Sequence, residues 1–182
     1  MFASLELLLK ALDRAIQLLS VRSENRRKVF KEVVEPLMKD LEPVVEDYFA
    51  FFSSSIDRIK STDADSLAPI IEDLRRLREQ MLLARVKVQQ LADAIEATTT
   101  DRQLKEFAER VLAIFFCTRH ASGGKASRST TYIDFLEHLP PDSVRRSKGF
   151  LVDATKQTKD EIAHAWLQVS QTYGALRLDS VK

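Results

Sequence analysis

The stretch "IIEDLRRLREQMLLARVKVQQLADAI", residues 70–95, decides the fold because its apolar residues recur every seven positions. Ile70, Leu77, Ala84 and Leu91 share one heptad position, and Leu74, Met81, Val88 and Ile95 share the other. On a helix these two sets form a single seam, and four heptads of it predict a long helix seated in a bundle or coiled coil. Asp65 or Ser66, in the turn "STDADS", is placed to cap its start, Pro69 is tolerated in its first turn, and the pattern fades near Ala97.

The flanking segments read the same way. Leu5, Leu8, Leu12, Ala15, Ile16 and Leu19 form one stripe of an amphipathic helix over Phe2 to Leu19, widened by Leu7, Leu9 and Leu18. From about Glu24 to Lys60, apolar residues recur every three or four positions through Pro36 and Pro43. A proline inside a helix removes a donor and pushes against the preceding turn. The apolar phase survives both, which predicts one bent helix with its prolines on the outer side. Thr100 and Gln103 fit a capping box for a fourth helix, which ends in the apolar run "VLAIFFC" near Cys117. Beyond it lie a polar loop at 118–130, a short turn or helix around Tyr132 to Leu139, and a last helix capped by Asp142 and reaching about Leu176. Leu151, Ile162, Trp166, Val169, Tyr173 and Leu176 are its expected inward residues.

No alternating β pattern competes, and only four glycines and five prolines interrupt 182 residues. The expected fold is all-α: one domain, an elongated antiparallel bundle of four to five long helices. A helix of about 35 residues alone spans roughly 50 Å. In outline such a bundle, opening on an amphipathic helix, is similar to the membrane-acting helical domains of cell-death executioners. That likeness is one of fold and not of any motif.

Charge and cysteine content narrow the function. Lys plus Arg number 28 and Asp plus Glu 27, so no overall basic excess favours nucleic acid. The single cysteine, Cys117, excludes a disulfide within the chain and suits a reducing compartment. Glu6, Lys10, Asp13 and Arg14 interrupt the leucine-rich start, so neither a signal peptide nor a spanning helix is expected. The expected location is the cytoplasm, with a peripheral membrane position as the alternative.

Each motif that suggests chemistry lacks a required part. In "CTRHASGGKASRS" a Gly-Lys pair resembles a phosphate loop, but Ala126 stands where Ser or Thr should bind magnesium, and Arg119 stands where the first glycine belongs. The loop's Arg119, His120, Lys125 and Arg128 remain a candidate contact surface for an anion or acidic partner. Glu161 and His164 have the spacing of a di-iron bundle, but no second such pair exists. Cys117 and His120 offer two zinc ligands where a structural site needs four. Glu32 with Glu35, and Glu106 with Glu109, are acid pairs explained by solvated helix faces.

A sharper signal is the run 22–31. It carries Arg22, Arg26, Arg27, Lys28 and Lys31 against one acid, and six acids follow in 32–47. Cations at a helix start oppose its dipole. Either the first two helices run on without a break, or the cluster serves another purpose, such as an anionic membrane surface. The sequence expectation is a non-catalytic protein that binds a protein partner or a second copy of itself, with no cofactor and no metal. The alternatives are a membrane-surface effector using the first helix and this basic cluster and, further off, a metal-dependent all-α enzyme.

Overall fold

The computed structural model describes residues 3–20, 26–116 and 148–181. Among them no strand forms, and five helices make an all-α bundle. Helix α1 is Ala3–Ser20. Helix α2 is one continuous run of Arg26–Val29, a π-helical turn Phe30–Val34, and Glu35–Ser61. A short 3₁₀ turn, Ala64–Ser66, leads to α3, Ala68–Thr98. Helix α4 is Arg102–Phe116 and α5 is Lys148–Val181.

The π turn has a local cause. Pro36 would press its ring against the carbonyl of Glu32 in a regular helix. Instead the Glu35 N–H reaches back five residues to the Phe30 carbonyl, which widens the turn just ahead of the proline. Pro43 lies inside the same helix with its ring exposed. The expected continuous helix is therefore present, and its irregular turn precedes the first proline.

Two expected caps move by a residue or more. Helix α4 is capped by Asp101, not Thr100: its Oδ1 accepts from the N–H of Gln103 at 2.9 Å and of Leu104 at 3.4 Å. Thr99 supports it by accepting from the Asp101 N–H at 3.0 Å. At α3 neither Asp65 nor Ser66 occupies the cap position. They lie in the 3₁₀ turn, Leu67 precedes the helix, and its carbonyl accepts from Ile70 and Ile71 at 3.0 and 3.1 Å. Leu67 is wholly buried, so core packing fixes this entry in place of a side-chain cap. Pro69 sits in the first turn as the pattern requires. Asp142 and the turn around Tyr132 to Leu139 lie outside the described residues.

The helices close into a ring in the order α2, α1, α3, α4, α5 and back to α2. Although α2 and α3 are joined by a short turn, α1 is wedged between them. Ser4 on α1 donates to Asp47 on α2, and Asp13 on α1 pairs with Lys87 on α3. Helix α5 runs antiparallel to α2: Lys148 donates to the carbonyls of Lys60 and Thr62 at 2.7 Å, Lys159 to Ser53 at 2.7 Å, and Tyr173 stacks on Phe30 at 5.7 Å. A ring of five cannot alternate direction throughout, and α1 and α3 are the neighbours that run the same way.

The heptad seam is the spine of the core. All eight of its residues are buried, none more than 5% exposed. Leu5, Leu8, Leu12, Ala15 and Leu19 of α1 are buried too, while Leu7 faces outward at 56% exposure. The apolar face of α1 is thus narrower than its composition suggests. On α5, Leu151, Ile162, Val169 and Leu176 are buried, and Trp166 and Tyr173 pack partly against the core. Thr155 and Thr158 are buried on the same side, and their hydroxyls donate to the carbonyls of Leu151 and Ala154 one turn back at 2.7 and 3.0 Å.

Candidate functional site

The basic cluster lies at the start of α2. Arg27, Lys28 and Lys31 are exposed there, Arg26 opens the helix, and Arg22 lies outside the described residues. Because α2 turns back along α1, the two are not one uninterrupted helix. The cations therefore do sit at a true helix start, against the dipole. The apolar stripe expected to accompany them on a membrane is instead packed between α2 and α3. Arg119, His120, Lys125 and Arg128 lie outside the described residues, as does Cys117.

The acid pairs do not converge. Glu106 is half-exposed and pairs with Arg110 at 3.4 Å, while Glu109 is exposed. Glu32 is half-exposed and Glu35 exposed. Glu161 accepts from Gln157 at 2.9 Å, and the exposed ring of His164 meets Gln168 at 2.9 Å. Among the described residues no three His, Cys, Asp or Glu side chains are grouped to hold a metal. No described helix is long and apolar enough to cross a membrane.

The feature with the clearest unsatisfied chemistry lies off the heptad seam, among residues that the seam does not mark. Leu82, Leu83 and Val86 stand on the outer face of α3 at 52%, 50% and 47% exposure. They are neighbours, since positions three and four apart share a helix face. The seam on the opposite face packs against α1 and α4, so these three residues are apolar for no reason of internal packing. Around them the face is polar: Arg76, Glu79, Gln90 and Asp93 are all exposed. Water in contact with such a patch is released when another apolar surface covers it. The signal was legible in "MLLARV", where three apolar residues fall off the heptad seam.

Comparison with known protein families, with characterised proteins and with solved structures finds no match. Any functional reading therefore rests on the chemistry of these surfaces alone.

Proposed function

We propose that the chain is a non-catalytic helical-bundle protein that acts by binding protein through the outer face of α3. The observation that carries this reading is the Leu82, Leu83 and Val86 patch, half-exposed on a helix whose other apolar face is fully used. Interaction surfaces of this kind combine a small apolar centre with a polar rim. Arg76, Glu79, Gln90 and Asp93 supply that rim. The membrane-surface alternative keeps Arg27, Lys28 and Lys31 but would need α1 to leave the bundle and expose its buried leucines.

The test is site-specific photo-cross-linking in cells from a benzophenone residue at Leu82, with one at exposed Glu109 as the control. The reading expects a discrete protein adduct from position 82 that disappears on Val86→Asp. Adducts equal at both positions, or indifferent to Val86→Asp, would overturn it. Flotation with anionic vesicles covers the alternative, which requires salt-sensitive binding lost on changing Arg27, Lys28 and Lys31 to Ser.

A further inference from the structure

The outer face of α3 carries a self-complementary pattern. Arg76, Glu79, Leu83, Val86, Gln90 and Asp93 follow one another at spacings of three, four, three, four and three, so they form one stripe along the helix. Those spacings read the same in both directions. The stripe can therefore meet an identical stripe running the opposite way, about a two-fold axis midway between Leu83 and Val86.

In that register the chemistry matches at every level. Leu83 of one copy faces Val86 of the other, and the symmetry repeats this pair, so two apolar layers sit at the centre. Glu79 faces Gln90, a carboxylate beside an amide donor. Arg76 faces Asp93 at both ends. Among the described residues Arg76 pairs with no acid of its own chain. Asp93 accepts from Gln89 at 2.9 Å and is exposed. Leu82 flanks the centre and adds apolar area beside it. A parallel pairing in register would place Arg76 on Arg76 and Asp93 on Asp93, like charge on like charge, which disfavours it.

We propose that the partner of this face is a second copy of the chain, docked α3 against α3 in antiparallel register as a two-fold dimer. This rests on the reading of the face as a protein-binding surface and names its occupant. A two-fold interface uses the same patch on both subunits, which is what a palindromic stripe provides. The contact is about one helix wide, which places it with the small interfaces below ~1,200 Å² that form weak, transient complexes, so dimerisation is expected in the micromolar range or above.

The experiment is sedimentation velocity of the purified chain over a concentration series spanning that range. Circular dichroism melts confirm that each variant folds; all the substituted positions are exposed. The wild type should pass from monomer to dimer, and Leu83→Asp should remain monomeric. Arg76→Asp and Asp93→Arg should each weaken the dimer at least about tenfold, since each creates two like-charge contacts. Mixed in equal amounts, these two single variants should dimerise with each other. At one end of the mixed interface the two introduced side chains meet as acid and base, and at the other end the native Arg76 meets the native Asp93. The double variant R76D/D93R should dimerise alone. A chain that stays monomeric throughout, a dimer that survives Leu83→Asp, or single variants that fail to rescue one another would each overturn the proposal. If the chain is monomeric but the Leu82 cross-link still captures a different protein and loses it on Val86→Asp, only the second copy falls. If that adduct is absent too, the binding reading falls with it.

Discussion

Adjacent leucines of α1 should respond very unequally to truncation, and the contrast tests whether α1 belongs to the core. Leu8 is wholly buried, whereas Leu7 is 56% exposed. Truncating a fully buried leucine to alanine removes its transfer free energy and leaves a partly relaxed cavity, together about 3 to 4 kcal/mol. That is a large fraction of the roughly 5 to 15 kcal/mol that holds a typical domain folded. With a urea slope of about 2 kcal/mol per M, Leu8→Ala should lower the unfolding midpoint by about 1.5 to 2 M. Leu7→Ala should change stability by less than about 0.5 kcal/mol, the usual effect of a surface substitution. Urea titrations followed by circular dichroism at 222 nm read both values. Equal, small shifts would refute the packing of α1 between α2 and α3, and would return its leucines to service outside the bundle. A large loss on Leu7→Ala would show that the helix is rotated from the position described.

Three further outcomes check other contacts. Asp101→Ala should cost about 1 kcal/mol by releasing the first N–H groups of α4, while Asp101→Asn should keep most of the cap; equal losses in urea titrations would contradict the cap. Pro43→Ala should raise stability by about 1 to 3 kcal/mol, because it restores a backbone donor inside α2, and an unchanged or lower melting temperature would show that the proline is fully accommodated. Asp73→Asn should shift stability by less than about 0.5 kcal/mol, since its pair with Arg58 at 2.9 Å is exposed on both sides; a larger loss would mark that pair as part of a tighter turn.

Much of this fold could be read before any coordinates. The heptad of Ile70 to Ile95, the stripe of Leu5 to Leu19 and the unbroken phase through Pro36 and Pro43 each follow from spacing, because helical geometry turns a sequence period into a face. Those faces are indeed the buried ones. Turn chemistry was less legible. Thr100 and Asp101 are both good cap residues, and which of them caps depends on where the backbone leaves α3. The entry to α3 depended on burying Leu67, a tertiary effect no local motif encodes.

What sequence alone determined is which residues are helical and which side of each helix is apolar, because both arise from interactions within a few residues. What only the tertiary structure decided is the ring order, with α1 wedged between α2 and α3, and with it the meaning of the leftover apolar residues. Leu7, Leu82, Leu83 and Val86 are as apolar as their buried neighbours, and composition cannot separate them. Burial depends on which helices stand beside each face, a matter of contacts between distant parts of the chain. The seam of α3 is covered by its own molecule, and the outer face with Leu83 and Val86 is left exposed.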